Sequence, residues 1–180
     1  MWIDFFGVIC SEVAPFWFQK YFSKEEAALL KEKYFKLADL GKISNAELMN
    51  ALSILVKKPT DEINKEFDSY VKINREVVAY LEKLKTSYKI ILCSNASSDF
   101  LRGIISNKGL EGLFDKVVIS SEIKYRKPDM RFFEKCLELS ECNKEEIIFI
   151  DDNKVNIESA KDFGVWSILF SQADDLPQNI

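Results

Sequence analysis

The chain has 180 residues, of which 47% are hydrophobic and 30% are charged. This length and composition predict an ordinary globular protein with one full core, either a single domain or a domain with an insertion. The formal net charge of -4 gives no broad positive field, so we expect no nucleic-acid partner. The sequence has no histidine, which excludes Ser-His-Asp triads, Cys-His dyads and imidazole zinc sites.

The sequence also lacks the hydrophobic patterns that are typical of membrane-spanning helices and of signal peptides. No apolar run approaches the roughly eighteen residues that a bilayer-crossing helix needs, so we expect no membrane partner. The first residues lack the basic start and long apolar stretch of a signal peptide, and the expected location is the cytoplasm. The four cysteines show no CxxC spacing and are expected to be reduced, mostly buried thiols: Cys10, Cys93, Cys136 and Cys142.

The opening segment is apolar and aromatic, and it predicts a short strand that ends near Asp4 and turns at Gly7. From about residue 13 to residue 72 the sequence becomes charged and helix-periodic. Capping boxes at Ser23 and Ser44 predict two helix starts in this stretch. Thr60 or Asp61 can cap a further helix that runs to Tyr70, so the stretch predicts about four helices.

After residue 74 helical and strand patterns alternate, which predicts a parallel sheet covered on both faces. The predicted segments are, in order, a helix at 77–84, a strand at 89–93, a helix at 97–106, a strand at 117–119, a helix at 129–139, a strand at 147–150, a helix at 154–163 and a strand at 166–170. The predicted fold class is therefore α/β. It is a doubly wound, Rossmann-like parallel sheet formed by residues 1–12 and 74–180, with an inserted all-helical cap at 13–73.

Polar residues follow several of the predicted strands. In an open α/β sheet, ligands bind just beyond the carboxyl ends of the strands, so these residues should meet at one edge. They are Asp4, Ser94, Asn95, Asp151 and Asp152, together with Lys127 in the loop after the strand at 117–119.

Charge balance at this edge predicts a metal ion. Asp4, Asp151 and Asp152 bring three carboxylates toward one point, where Lys127 supplies a single positive charge. A divalent cation would offset the excess, and oxygen ligands of this kind suit Mg²⁺, which accepts one or two carboxylates together with substrate phosphate.

Four motifs in chain order resemble those of the haloacid dehalogenase-like (HAD) superfamily of hydrolases. They are Ile3-Asp4-x-x-Gly7-Val8-Ile9, Ile91-Leu92-Cys93-Ser94-Asn95, Tyr125-Arg126-Lys127-Pro128-Asp129 and Phe149-Ile150-Asp151-Asp152-x-x-x-Asn156. The helical insertion directly after the first strand is similar to the cap of the subfamily that contains small phosphatases and haloacid dehalogenases. The resemblance implies the same Rossmann-like core and a hydrolase acting on a small phosphorylated metabolite.

The resemblance also implies catalytic and phosphate-binding roles. Asp4 would attack phosphorus and form an aspartyl-phosphate, a recognised form of covalent catalysis by a carboxylate. Ser94, through its hydroxyl, Asn95, through its backbone amide, and Lys127 would hold the phosphoryl oxygens, because phosphoryl transfer is catalysed mainly by positioning and electrostatics.

The metal ligands implied by the resemblance lie on two of the motifs. Mg²⁺ would be held by the Asp4 carboxylate, the backbone carbonyl of Phe6 and Asp152. Asp151 would lie nearby, and Asn156 would support the carboxylates from behind.

Phe6 departs from the family pattern. Phosphatases of this family usually carry a second Asp at this position, which protonates the leaving oxygen and later activates water. Losing general acid/base help lowers a rate by roughly 100- to 10,000-fold, so we expect slow turnover, or turnover restricted to good leaving groups, and a long-lived phosphoenzyme. Haloacid dehalogenases also have an aromatic residue here, which keeps dehalogenation open, although they lack the acidic pair and work without metal. A catalytically impaired binding or regulatory protein is a further alternative.

Individual features also have plain structural explanations. Asp152 could simply cap the following helix. The aromatic cluster at residues 16–22 is expected to pack in the core rather than to shape a pocket. Glu12, Lys20 and Glu47 are polar positions near the insertion, where solvated surface is the usual role.

Overall fold

The computed structural model describes residues 1–177. Its strands are β1 (Trp2–Ile3), β2 (Ile91–Ser94), β3 (Lys116–Ile119), β4 (Ile148–Asp151) and β5 (Trp166–Leu169). Its α-helices are α1 (Ala14–Tyr21), α2 (Lys24–Leu30), α3 (Lys36–Asp39), α4 (Asn45–Val56), α5 (Thr60–Tyr70), α6 (Arg75–Leu84), α7 (Ser98–Asn107), α8 (Ser120–Ile123), α9 (Met130–Ser140) and α10 (Lys154–Phe163).

Across the described residues the five strands form one parallel sheet in the order β3-β2-β1-β4-β5. The chain therefore builds one side of the sheet from β1 through β2 to β3, then returns past β1 to add β4 and β5. The strand order reverses between β1 and β4, and such a switch point leaves a crevice beyond the carboxyl ends of the two strands. The predicted α/β class with a doubly wound parallel sheet is confirmed.

Each strand sends alternate side chains to opposite faces of the sheet, as the period of a β-strand requires. Ile3 and Leu92 pack on the face covered by α6 and α7, whereas Trp2 and Cys93 pack on the face covered by α9 and α10. All four of these side chains are buried. The two faces give the strands the nearly continuous apolar character of a fully covered parallel sheet.

The segment between β1 and α6 is helical, as predicted, with four successive helical stretches among the described residues. Its second stretch is continuous, because a π-helical segment (Lys31–Phe35) joins α2 to α3. The capping boxes at Ser23 and Ser44 are both present and start α2 and α4. The N-cap of α5 is Pro59 and not the predicted Thr60 or Asp61. The helix therefore begins at Thr60, at least one residue earlier than predicted.

The two connections to the helical segment run side by side. The amide of Ser11 donates to the carbonyl of Lys72 at 2.9 Å, and the amide of Asn74 donates to the carbonyl of Ile9 at 2.8 Å. α4 then contacts α7, and α3 contacts α8, so the inserted helices lie beside the carboxyl edge of the sheet. No helix in residues 1–177 is both long enough and apolar enough to cross a membrane.

Candidate active site

Asp4 lies at the centre of the carboxyl edge. It directly follows β1, and its amide donates to the carbonyl of Ile150 at 2.9 Å, which continues the pairing with β4 one residue beyond the strand. Burial of Trp2 and Ile3 on opposite faces holds this very short strand in place. The carboxylate of Asp4 is consequently fixed at the switch point, with only 7% of the residue exposed.

Lys127 pairs with two of the predicted carboxylates. Its Nζ lies 2.8 Å from Asp4 Oδ1 and 2.6 Å from Asp151 Oδ2, and the residue is 1% exposed. The ammonium also lies over the ring of Phe149, 5.5 Å from its centroid. Lys127 is thus a buried cation that links the end of β1 to the end of β4.

Asp151 is held on every side by the chain itself. Besides Lys127, its carboxylate accepts hydrogen bonds from Asn156 Nδ2 at 3.0 and 3.2 Å and from the amide of Asn153 at 2.8 Å. Asn153 in turn caps α10 through the amide of Val155. The start of α10 therefore orients Asp151, and Asn156 lies behind it at hydrogen-bond distance.

Asp152 has a different environment from Asp151. Its carboxylate lies against Gly7, where an added Cβ would be only 2.1 Å from Asp152 Oδ2. Gly7 also has a φ of +87°, in the left-handed region that favours glycine. The glycine in the first motif therefore allows the turn after β1 to approach the end of β4 closely.

Three carboxylates converge at this point. Asp4, Asp151 and Asp152 each offer an oxygen, and these atoms lie within 4.8 Å of one another. Burial raises the pKa of Asp4, Lys127 opposes that change, and the two other carboxylates add to it. The pKa of Asp152 is raised by burial and then by Asp151. With one ammonium against three carboxylates, the cluster carries more negative than positive charge.

The predicted phosphate-binding residues at the end of β2 have distinct positions. The side chain of Asn95 lines the site and holds the backbone of Lys127, donating to its carbonyl at 2.9 Å and accepting from its amide at 2.8 Å. Ser94 is fully buried, and its hydroxyl has no hydrogen-bond partner among residues 1–177. Sequence reasoning missed the positioning role of the Asn95 side chain, because it depends on a loop 32 residues away.

The side chain of Phe6 lines the site and presents an aromatic ring where the family pattern has a carboxyl group. The ring stacks on Phe100 at 6.0 Å between centroids with an interplanar angle of 7°, and it meets Phe5 edge-on at 5.1 Å. Phe100 in turn meets Phe67 of α5 edge-on. The side chain at position 6 therefore packs within an aromatic row that reaches the inserted helices.

A cavity of about 480 Å³ opens from the cluster toward the inserted helices. Part of its lining is apolar and includes Phe6, Phe35, Leu48, Met49, Phe67 and Phe100. Charged residues of the insertion and of the core loops also line it: Glu12, Lys31, Glu32, Lys36, Asp39 and Arg126. Such a mixed lining fits a small ligand with an apolar part and a polar part.

Asp39 and Arg126 form an ion pair inside this cavity that the sequence did not predict. Arg126 Nη2 lies 3.3 Å from Asp39 Oδ2, and the two side chains are 32% and 16% exposed. Arg126 directly precedes Lys127 in the third motif, and this position was the one sequence signal that Arg126 lies near the site. Of the three polar positions noted near the insertion, Glu12 lines the cavity, Lys20 pairs with Glu66, and Glu47 caps α4.

Most of the chain matches a known family. A sequence model of haloacid dehalogenase-like hydrolases matches residues 12–170. The chain belongs to this HAD-like hydrolase family. The matched span begins after Asp4, so the first strand and the proposed nucleophile lie outside it.

Several curated proteins are similar to this HAD-like chain. It is 21% identical to (S)-2-haloacid dehalogenase 2 of a Pseudomonas species, over 86% of this chain and 68% of that protein. It is 26% identical to the drimenol cyclase drtB of Aspergillus calidoustus, over 78% of this chain but only 28% of that protein. It is 29% identical to the GMP/IMP nucleotidase YrfG of Escherichia coli, over 52% of this chain and 42% of that protein. The chain thus spans less than half of two of these relatives.

Solved structures share the HAD fold at low sequence identity. The HAD family enzyme bt-2542 of Bacteroides thetaiotaomicron has a TM-score of 0.81 at 23% identity, covering 93% of this chain and 91% of that chain. The same enzyme in complex with magnesium and inorganic phosphate has a TM-score of 0.79 at 24% identity. L-2-haloacid dehalogenase of Xanthobacter autotrophicus has a TM-score of 0.68 at 19% identity, covering 95% and 78%.

Proposed function

We propose that this HAD-like chain is a Mg²⁺-dependent phosphohydrolase or phosphotransferase that acts on a small phosphorylated metabolite through an aspartyl-phosphate on Asp4. The observation that carries the proposal is the convergence of three carboxylate oxygens within 4.8 Å around one buried lysine. A carboxylate cluster with excess negative charge suits a hard dication. The magnesium and phosphate bound to the enzyme bt-2542 are consistent with this assignment.

The donor set fits Mg²⁺ in its chemistry. The carboxylates of Asp4 and Asp152 and the backbone carbonyl of Phe6 are oxygen ligands, and Asp151 is already saturated by Lys127, Asn153 and Asn156. Among the two adjacent acids, Asp152 is therefore our choice as direct ligand. When bound, Mg²⁺ would neutralise charge on the cluster and on the phosphoryl oxygens.

The side chains of the chain itself would orient and neutralise the reacting group. Lys127 fixes the carboxylate of Asp4 at 2.8 Å and would pair with a phosphoryl oxygen at the same position. The unpartnered hydroxyl of Ser94 and the backbone amide of Asn95 would supply further hydrogen bonds to that group. The buried setting strengthens each of these interactions by excluding water.

Phe6 supplies no proton to a leaving oxygen. Without another carrier, phosphoryl transfer to Asp4 from a poor leaving group would be about 100- to 10,000-fold slower, and the phosphoenzyme would hydrolyse slowly. Activated aryl or acyl phosphates would be least affected, because their leaving groups need no protonation.

Two alternatives remain as competing functions. Dehalogenation is favoured by the aromatic ring of Phe6 and by the similarity to haloacid dehalogenases, and disfavoured by the Asp151-Asp152 pair. One observation favours a binding or regulatory function, namely the absence of an acidic side chain at position 6.

A substrate and metal panel separates the three functions. We expect hydrolysis of 4-nitrophenyl phosphate with Mg²⁺, no hydrolysis with EDTA, and no halide release from 2-chloropropionate. Halide release without metal would instead identify a dehalogenase. Inertness toward both substrates in the Phe6→Asp variant as well as in the parent would leave only the binding function.

The domain organisation and location are part of the same proposal. Residues 13–73 would act as a cap domain that selects the substrate, and residues 1–12 and 74–180 would form the catalytic core. The four inserted helical stretches and the paired connections at Ser11 and Asn74 support this division. Small phosphorylated metabolites are also consistent with a cytoplasmic enzyme.

A further inference from the structure

Position 6 leaves the proposed reaction without its usual proton carrier, so the other carboxylates of the cavity become important. Beyond the cluster itself, three acidic residues line the cavity within the described part of the chain: Glu12, Glu32 and Asp39. A general acid must reach the leaving oxygen, which points away from Asp4 toward the inserted helices. The three residues differ in how well they meet that requirement.

Asp39 lies on the insertion side of the cavity, at the end of α3. Its carboxylate is 3.3 Å from Arg126, and Arg126 is bonded in sequence to Lys127, the partner of Asp4. Gly41, just beyond α3, is also held to the core, because Lys124 Nζ donates to its carbonyl at 3.2 Å. Asp39 therefore lines the same cavity as Asp4 and Phe6, on the side of the inserted helices, and an arginine that directly precedes Lys127 holds its carboxylate.

The charge environment of Asp39 suits proton transfer near neutral pH. Burial raises the pKa of Asp39 to about 6, against the lowering effects of Arg126 and Lys127. A carboxyl group with a pKa near the working pH can both donate and accept a proton at useful rates. The charge of Asp39 also raises the pKa of Glu12. The charged groups that face Asp39 from the core are therefore Arg126, Lys127 and Glu12.

Resting on the proposed phosphotransfer function, we propose that Asp39 is the proton carrier that replaces the missing acid at position 6. In the first step the P–O bond to the leaving group breaks, a bond forms between phosphorus and Asp4, and the proton of Asp39 moves to the leaving oxygen. In the second step Asp39 takes a proton from water as the water oxygen bonds to phosphorus and the bond to Asp4 breaks. Phosphate leaves, and Asp39 is protonated again.

The other two carboxylates fit this role less well. Glu32 is exposed and pairs with Lys36, so it is a solvated surface charge. Glu12 lines the cavity but forms no ion pair among residues 1–177 that would orient its carboxylate. Asp39 combines a largely buried side chain with a cationic partner that orients it.

The test compares two esters of similar size with different leaving groups. Benzyl phosphate releases an alcohol that needs a proton, whereas 4-nitrophenyl phosphate releases a stable phenolate. The measurement is kcat/KM with Mg²⁺, because this constant covers the steps only up to release of the alcohol or phenolate. For Asp39→Asn we expect a fall of about 100- to 10,000-fold on benzyl phosphate and less than about 10-fold on 4-nitrophenyl phosphate.

Control variants separate catalysis from structure. Asp61→Asn, at an exposed carboxylate of α5 outside the cavity lining, should leave both constants unchanged. Asp39→Glu, which keeps a carboxyl group, should leave the ratio of the two constants within about 10-fold of the parent. If Asp39→Asn does not fold, Asp39→Ser, which also removes the carboxyl group, decides the question by the same ratio. A purely structural role for Asp39 would lower both constants together.

Each other outcome overturns the inference. Equal losses on the two esters, or no loss, would exclude Asp39 as proton carrier, and a leaving-group-selective loss in Glu12→Gln alone would assign the role to Glu12. Activity in the parent that depends on Asp4 but not on Asp39 would leave the proposed function intact. A parent that cleaves neither ester with Mg²⁺ would overturn both proposals.

Discussion

Two carboxylates of this protein, Glu66 and Asp4, have opposite surroundings. Glu66 lies among the inserted helices with 13% of its side chain exposed, and it receives hydrogen bonds from four side chains. The donors and their distances are Trp17 Nε1 at 2.8 Å, Lys20 Nζ at 2.7 Å, Tyr21 Oη at 2.6 Å and Lys58 Nζ at 3.3 Å. Burial would raise the pKa of Glu66, but these donors outweigh it and lower the pKa to about 2.

Asp4 has the reverse balance at the edge of the sheet. It has one strong cationic partner, Lys127, and that partner is shared with Asp151. Asp152 adds a third carboxylate, and the pKa of Asp4 is raised chiefly by burial. The chain satisfies Glu66 with its own donors, whereas the cluster around Asp4 has three carboxylates and one ammonium group.

This difference separates a structural carboxylate from a functional one. A partly buried acid whose oxygens are well supplied with hydrogen-bond donors needs no ligand to balance its charge. A cluster with excess charge destabilises the fold unless something binds, and active sites commonly retain such groups. Substitutions at the two centres should therefore have opposite effects on activity and stability.

The largest expected effect is the loss of activity in Asp4→Asn. Removing a nucleophile abolishes the covalent route, so hydrolysis of 4-nitrophenyl phosphate should fall by at least about 10,000-fold. The free energy of unfolding in urea without metal should fall by no more than about 1 kcal/mol, since a repelled charge is removed along with a hydrogen bond. Retained activity, or a loss of stability above about 3 kcal/mol, would contradict the functional assignment of this centre.

Lys127→Met should cause the next largest effect, on stability. The substitution leaves Asp4 and Asp151 buried without their shared cation, and breaking a buried pair in this way costs about 3–5 kcal/mol. Urea unfolding with and without Mg²⁺ measures the loss, and Mg²⁺ should restore part of it. Lys154→Met is the matched control at an exposed pair with Glu158, where we expect less than about 1 kcal/mol.

Gly7→Ala should weaken metal activation. Its Cβ would lie 2.1 Å from Asp152 Oδ2, so the carboxylate must move, and misorienting a metal ligand typically costs about 10- to 100-fold in metal affinity. The readout is the Mg²⁺ concentration that half-saturates hydrolysis. Gly109→Ala shares the positive φ but has no atom within 4 Å of the added Cβ, so its Mg²⁺ dependence should match the parent.

Glu66→Gln should lower stability without affecting chemistry. The loss of charge-assisted hydrogen bonds should cost about 1–3 kcal/mol at pH 7 and leave kcat unchanged. Because the folded pKa lies below the ordinary value of 4.5, the contribution of Glu66 is present above about pH 4.5 and is lost as the pH falls toward 2. Unfolding measured at pH 7 and pH 3 should show a smaller difference between Glu66→Gln and the parent at the lower pH.

Glu62→Gln is the control for that prediction. Glu62 also pairs with Lys58, but its side chain is 45% exposed, so the expected change is less than about 1 kcal/mol at either pH. Equal effects of the two substitutions would show that Glu66 is an ordinary surface charge.

Local sequence signals predicted much of the fold. The capping boxes at Ser23 and Ser44 mark true helix starts, and the predicted helix at 154–163 has the bounds of α10, with Gly164 in a left-handed conformation at its end. These features depend on hydrogen bonds within a few residues, so the sequence contains their whole cause. The residues predicted at the strand ends meet because parallel strands share one carboxyl edge.

The insertion side of the cavity could not be predicted in the same way. The pair of Asp39 with Arg126 and the donors around Glu66 join residues far apart in the sequence, such as Lys20 and Glu66. Such pairs depend on the tertiary packing of helices and loops that are far apart in the sequence, so no short local pattern predicts them. The missing acid at Phe6 was evident from the sequence, but its proposed replacement required the cavity.

The most direct test of the account is to look for phosphate on Asp4. A rapid acid quench during a single turnover of 4-nitrophenyl phosphate with Mg²⁺, followed by mass analysis of peptides, reports the intermediate. We predict one phosphoryl group on the peptide that contains Asp4, absent with EDTA and absent in Asp4→Asn. Complete turnover with no labelled Asp4 at any time point would contradict the account.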